Sequence, residues 1–217
     1  LGLQTKALGE KSVAMGESTQ AIADNAVAMG LNTVAAGEMS VAMGAETVAE
    51  GPLSLALGLQ TKALGEKSVA MGERTEAIAN NAVAMGLNTV AAGEMSVAMG
   101  VETVAEGHLS LAMGEGTIAK NNTSLSIGKY NLGRDESLFE IGIGSNNNER
   151  NNILTVMPDA LLVQGVIEAQ KFFGNGSNIT NLTAANLTGA LPAIDGSKLT
   201  GIVSGDDQTL SLSGTTL

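Results

Sequence analysis

The sequence predicts an all-β protein, a parallel solenoid of short stacked coils, and three observations predict it. A glycine recurs at every fourteenth residue, from Gly2 and Gly16 to Gly114 and Gly128, without a slip. A threonine keeps the same register from Thr5 to Thr117. Between them the residues alternate, as in Ser-Val-Ala-Met-Gly at 12–16 and Thr-Gln-Ala-Ile at 19–22. Alternation is the mark of a strand, because successive side chains point to opposite faces. A fixed period is the mark of a repeat architecture. The unit reads G-x-x-T-x-A-x-G-x-x-S-V-A-M, and nine units run from Gly2 to Gly128. A helical reading would place a glycine or a Thr/Ser in every turn or two, at about 1 kcal/mol per glycine.

Fourteen residues suit two short strands and two turns per coil, with glycines supplying backbone angles that tight turns require. Nine coils stacked at about 4.8 Å would rise roughly 43 Å. A longer period lies on top: residues 1–56 recur at 57–112 with five changes, Ser18/Arg74, Gln20/Glu76, Asp24/Asn80, Ala45/Val101 and Pro52/His108. Duplication of an array explains this better than a folded active site does.

The copies within the chain show which positions are free. The column of Lys6 also holds Gln20, Val34, Lys62 and Glu76, so it faces solvent. Both faces of the Ser-Val-Ala-Met-Gly strand are restricted. Val13 and Met15 belong to a large apolar face, which is expected to fill the coil. Ser12, Ala14 and Gly16 belong to columns that are always small. That small face is expected to be where another backbone approaches, in a parallel homotrimer around one axis.

Composition agrees with thin layers rather than one thick core. Aromatic residues make up 2% of the 217 and hydrophobic residues 44%, so Ala, Val, Met and Leu must do the packing that aromatic side chains usually dominate. A net charge of −11 without a basic cluster argues against nucleic-acid binding. Cysteine is absent, which removes disulfides and thiolate sites. No apolar run approaches the ~18 residues of a membrane span. The chain opens inside a repeat unit, which reads as a piece of a longer fibre anchored to a membrane or virion through parts outside this sequence.

The units SVAMGESTQAIADN, AVAMGLNTVAAGEM and SVAMGAETVAEGPL resemble the head repeats of trimeric autotransporter adhesins, the YadA-like heads. The resemblance covers residues 1–128 and implies a left-handed parallel β-roll that trimerises on a bacterial surface fibre and binds host matrix or cells. This chain departs from it in carrying methionine where such heads often have isoleucine, a substitution a flexible thioether accommodates.

Residues 129–170 read as a cap and small β transition module. The repeat pattern breaks after Gly128, and Ser137 arrives one residue early. SNNNERNN at 145–152 is a polar loop, ILTV at 153–156 a strand, Pro158-Asp159 a turn, and LLVQGVIEA at 161–169 one or two strands. Residues 171–217 resemble the shaft modules of phage tail fibres. The F-x-G-x-G-S-x-x-x-N-L pattern from Phe172 to Leu182 carries that resemblance, which implies a narrow trimeric β shaft. No sustained heptad pattern of a coiled-coil stalk follows the head.

The sequence predicts no catalytic, cofactor or metal residues. Carboxylates recur at Glu10, Glu38, Glu66 and Glu94 and at Glu46, Glu50, Glu102 and Glu106. Glycoside cleavage needs two of them in a shaped cleft, and a uniform solenoid offers none. They read as solvated turn residues. His108 is the one histidine, too few for a typical metal site. The methionine stripe reads as core by spacing. The expected role is a non-enzymatic, extracellular attachment fibre, on a bacterial surface or a phage tail, with a host receptor in a cell surface or matrix. The alternative is a passive spacer with recognition elsewhere. A third reading, an ice- or mineral-binding lattice, would need a flat exposed threonine array. Specificity in the leading reading falls to outward positions: Lys6, Gln20, Lys62, Arg74, Glu76 and His108.

Overall fold

The computed structural model describes residues 2–171. The first compact unit, Leu1–Glu168, is all-β. Each coil contributes one two-residue strand and one five-residue strand, as in Lys62–Ala63 and Val69–Glu73. The short strands form one parallel sheet of nine, Lys6–Ala7 through Ile118–Ala119. The long strands form the second sheet, beginning at Val13–Glu17. Register is strict and steps by fourteen, with Val69 beside Val83, Ala70 beside Ala84 and Gly72 beside Gly86. The predicted stack of parallel coils is what the chain forms.

Backbone hydrogen bonds run from coil to coil through strands and turns alike. Lys62 N donates to Thr75 O at 2.8 Å, and Val69 N to Ala82 O at 2.9 Å. In the turns, Arg74 N donates to Leu59 O and Asn81 N to Glu66 O, both at 2.8 Å. The turns carry two left-handed positions per coil, and non-glycine residues occupy nearly all of them. Examples are Lys67 at φ 56° and Arg74 at φ 51°. Glycine is needed elsewhere, at the long strand's fourth residue. Gly72 has φ +127°, and a Cβ there would sit 2.0 Å from the carbonyl oxygen of Gly86. The glycine that announces the period marks a close backbone approach between coils.

The interior reverses one expectation. The small columns fill the coil: Ala70, Ala77, Ala84, Thr75 and Ser68 are all fully buried. The Val13 and Met15 columns point outward, with Met15 36% and Met43 38% exposed. The alternation holds, but its phase is the reverse of the expected one. The cause is the thinness of the coil. Two sheets joined by turns of a few residues lie too close for two layers of Val and Met, so only Ala, Ser and Thr fit between them. The Ser/Ala face is therefore internal and unavailable as a contact between chains.

The end of the stack also differs from expectation. The long sheet keeps its register one coil further, with Leu125 beside Phe139 and Gly128 beside Gly142. The pattern breaks only in the short strand. Asn152–Val156 and Leu161–Val163 then add antiparallel strands. The predicted shaft at 171–217 lies outside the described residues, save for Lys171.

Candidate functional site

Three surfaces of the coil stack carry chemistry. The first is the outer face of the long-strand sheet. Columns of Val or Leu (Val69, Leu55), Met or Leu (Met71, Leu57), and mixed residues at the strand end (Leu59, Glu73, Val101) lie side by side there. At sheet spacings this face covers roughly 500–600 Å², at the upper end of the largest apolar patch on a typical monomer. Leu31 is 43% exposed and Leu59 40%. Sequence reasoning assigned the Val and Met columns to the core. The signal that could have placed them outside is the uniform smallness of the Ser12, Ala14, Thr5 and Ala7 columns, which alone are thin enough for the interior.

The second surface is a pair of shallow grooves on the short-strand side, four coils apart. Gln4, Thr5, Lys6, Ser18 and Gln20 line one. Glu46, Gln60, Lys62, Arg74 and Glu76 line the other. They are the same site in the two halves of the duplication, and two of the five divergent positions, Ser18/Arg74 and Gln20/Glu76, fall inside it. The structure thus brings together Lys6 with Gln20, and Lys62 with Arg74 and Glu76. His108 lines neither groove; it sits on a turn, with Nδ1 3.8 Å from a Glu94 carboxylate oxygen.

The divergence changes the chemistry of the site. In the first groove Ser18 Oγ donates to Gln4 Oε1 at 3.1 Å, and Lys6 is the cationic group. In the second, Lys62 Nζ donates to Glu76 Oε1 at 2.7 Å. Arg74 Nε reaches Gln60 Oε1 at 3.3 Å, while Gln60 Nε2 donates to Glu46 Oε2 at 2.8 Å. A groove with a single cation has become a self-paired charge ladder. Exposed pairs of this kind contribute little to stability, so the ladder is open to exchange with a ligand's charges.

The third surface is the end of the stack, where no sequence pattern announces the buried carboxylate. Asn131 takes the place of the repeat's threonine. Its amide imitates a missing strand: Ile118 N donates to Oδ1 at 2.6 Å and Nδ2 donates to Ile118 O at 2.8 Å. Glu140 occupies the column of the interior alanines and is fully buried. It accepts from Gly133 N at 2.9 Å, Arg134 N at 2.8 Å and the Asn131 amide. Tyr130 stacks on Gly116, where a Cβ would come within 2.2 Å of the ring. Arg150 donates to Gly116 O at 2.7 Å and Asn131 O at 3.0 Å. Every one of these groups is spent on closing the stack, which makes this end structural.

Among the described residues, no three of His, Asp and Glu cluster so as to hold a metal ion. The recurrent glutamates stand apart on the turns in regular files. The described residues include no helix long and apolar enough to cross a membrane.

A search of curated proteins found no match. The family model of the YadA head domain repeat matches residues 7–33, 21–47, 35–58, 49–75 and 77–103. Each full-length match spans about two coils, as a model of two repeat copies should, and the starts are spaced by whole coils, so the family's repeat has the period of the observed coil. That family is of the adhesin type: its members are extracellular surface fibres, and its repeat is a structural one. Residues 7–103 of this chain are YadA head domain repeats.

Proposed function

We propose that the chain forms the head of a homotrimeric, non-enzymatic attachment fibre that binds a cell surface or extracellular matrix through its outward short-strand side. The observation that carries the trimer is the exposed Val/Met/Leu face. A monomer would leave it in water, at about 25 cal/mol for every Å². Three parallel copies would bury it around an axis and keep the grooves outside. The fibre is anchored to a bacterial surface or a phage tail. The head, residues 1–128, is followed by a transition module at 129–170.

Binding falls to the grooves, because they gather outward side chains that vary between the copies. Three chains with two related grooves each would bind by avidity, with modest affinity per groove. With a net charge of −11, the favoured ligands are hydrogen-bonding or cation-bridged rather than bare polyanions. The test has two parts. Sedimentation equilibrium of the full chain should give three times the chain mass. Changing Lys62, Arg74 and Glu76 together to alanine should weaken attachment to cells or matrix while the melting temperature stays nearly constant.

One observation favours a second reading, a passive spacer. The two halves differ at only five positions, and identical coils give length without a unique site. Deleting residues 57–112 removes four coils, about 19 Å at the strand spacing. If neither this deletion nor the triple change alters attachment, the head is a spacer.

A further inference from the structure

Two columns border the exposed apolar face, one at each end of the long strand. At one end are left-handed turn residues: Lys11, Met39, Leu53, Lys67 and Met95 among them, with φ between 54° and 60°. At the other end are the last residues of the long strands: Glu17, Ala45, Leu59, Glu73 and Val101. Within one chain the columns cannot meet. Lys67 and Glu73 are separated by the strand between them, roughly 17–20 Å.

Yet their chemistry matches at several coil levels. Lys11 shares its coil with Glu17, and Lys67 with Glu73. Met39 shares its coil with Ala45, Leu53 with Leu59, and Met95 with Val101. Asn25 with Leu31, Asn81 with Leu87, Leu109 with Glu115, and Thr123 with Lys129 are the levels that differ in character. The turn column shows a second peculiarity. Met39 is 47% exposed, Leu53 46% and Leu109 48%, all held in the left-handed region. That conformation costs a non-glycine residue about 1–2 kcal/mol, and asparagine, which tolerates it better, is used at Asn25 and Asn81. A large apolar side chain gains nothing there in water, but it gains on burial against another chain.

We propose that in the trimer the turn column of each protomer packs at the same coil level against the strand-end column of the next. Lys67 then faces Glu73 of the partner subunit, and Leu53 faces Leu59 of the partner subunit. The proposal rests on the trimer reading and specifies its seams. Three-fold symmetry requires such a contact: where three sheet faces meet around an axis, one edge of each protomer must meet the opposite edge of its neighbour. The lysines are available for it. Lys67 lies 2.7 Å from Glu66 and Lys11 3.6 Å from Glu10, both in exposed pairs, so re-pairing across the seam costs little. Alternating bands of charge and apolar residues also set the register. A slip of one coil would place Lys67 against Leu59 of the partner subunit.

The chain has no cysteine, which makes the seam directly testable. The double variant Lys67→Cys with Glu73→Cys, in the full chain and oxidised in air with a copper catalyst, should yield disulfide-linked dimers and trimers, because a disulfide forms only where the two Cα atoms lie within about 7 Å. Their yield should exceed that of either single variant by about tenfold, because the paired thiols sit at high effective concentration. The variant Lys67→Cys with Leu59→Cys should crosslink no better than the singles. Efficient crosslinking of that second pair instead of the first overturns the register. Absence of crosslinking in a species that sediments as a trimer overturns the seam and leaves the trimer standing. A monomer in sedimentation overturns both. As a readout independent of crosslinking, Lys67→Glu should lower the trimer's melting temperature and adding Glu73→Lys should restore it. Failure of that rescue in a folded trimer counts against the pair.

Discussion

The middle coils and the last coil solve the same problem by opposite means. In the middle, each coil's backbone is satisfied by the coils on either side, and the interior contains only Ala, Ser and Thr. No middle residue is singular. At Ile118–Ala119 the short sheet runs out of partners while the long sheet continues through Phe139–Ile143. The two edges are closed separately. Antiparallel strands cover the long sheet, and the Asn131 amide, supported by a buried Glu140, covers the short one. Repetition needs only small side chains that do not obstruct stacking. Ending a repeat needs polar groups of one particular shape in one place, because an open edge leaves backbone donors and acceptors without partners.

The largest effect that would break this comparison is at Glu140. Replacing it with Ala leaves Gly133 N, Arg134 N and the Asn131 amide without their acceptor in a dry site. The loss should be about 3–5 kcal/mol per chain, because several buried donors are left unsatisfied at about 1–3 kcal/mol each. Urea unfolding of the full chain measures it. Should Glu140→Ala unfold at the parent's midpoint, the carboxylate is not what closes the end.

Next in size is an interior position of the middle coils. Ala84→Leu forces four carbons into a space filled by Ala70 and Ala98 in the adjacent coils, both fully buried. Overpacking of this kind costs about 1–3 kcal/mol per chain. The contrast with Met85→Leu sharpens it. Met85 faces outward and is 36% exposed, and a swap of similar volume there should change the melting temperature little. Equal tolerance at both sites would reverse the inside and outside of the strand.

That contrast also marks where the sequence was legible. The period, the two strands per coil and their parallel register follow from Gly72, Thr75 and Ala77, because those residues recur at fixed intervals. The phase of the long strand did not follow. Both Val69/Met71 and Ser68/Ala70 form restricted columns, and hydrophobicity alone favours burying the larger pair. Only the narrow gap between the sheets decides otherwise, and a narrow gap is a property of three dimensions. Phe139–Ile143 keeps the fourteen-residue spacing from Leu125, but loss of the Thr-x-Ala unit before it hid that strand. Asn131 and Glu140 each act once. A single residue has no period, so nothing in the pattern could announce it. The groove residues were legible in part, because variation between the copies exposed the Lys6 column and the two divergent positions beside it.

A smaller effect should follow from Asn131→Ala. This change removes the amide that pairs with Ile118 N and O but leaves Glu140 bonded to Gly133 N and Arg134 N. Losing a buried pair of hydrogen bonds costs about 1–3 kcal/mol, less than losing the carboxylate. The change should also be local. Amide exchange at Ile118 should accelerate strongly, while Val90 and Val104 keep the parent's protection. Acceleration spread evenly over the stack would mean that the coils open as one unit and that the amide closes no particular edge.

The smallest effect belongs to a carboxylate two strands away from Glu140 and on the outside. Glu115 and Lys129 are register partners on adjacent long strands, with Lys129 Nζ 2.7 Å from Glu115 Oε2. The hydrogen bond from Lys129 holds the Glu115 carboxyl below the usual carboxylate range, and the same bond raises Lys129 above the usual amine range. The signs follow by linkage. A depressed acid contributes stability that is present above its unfolded value and is lost as pH falls through its folded value. A raised base contributes stability that is present below its unfolded value and is lost as pH rises through its folded value. The pair therefore supports the stack across the neutral range and fails at both extremes. Both groups are solvent-exposed, so salt screens them and the contribution is slight. Comparing Glu115→Gln with the parent should show a small deficit in melting temperature at neutral pH. The deficit should vanish in acid, where the parent's carboxyl is protonated too, and shrink in high salt at neutral pH. A deficit that persists in acid would have to come from packing against Tyr130, whose hydroxyl lies 3.3 Å from Glu115 Oε1. The outer carboxylate would then be part of the closing end, as Glu140 is, rather than its solvated counterpart.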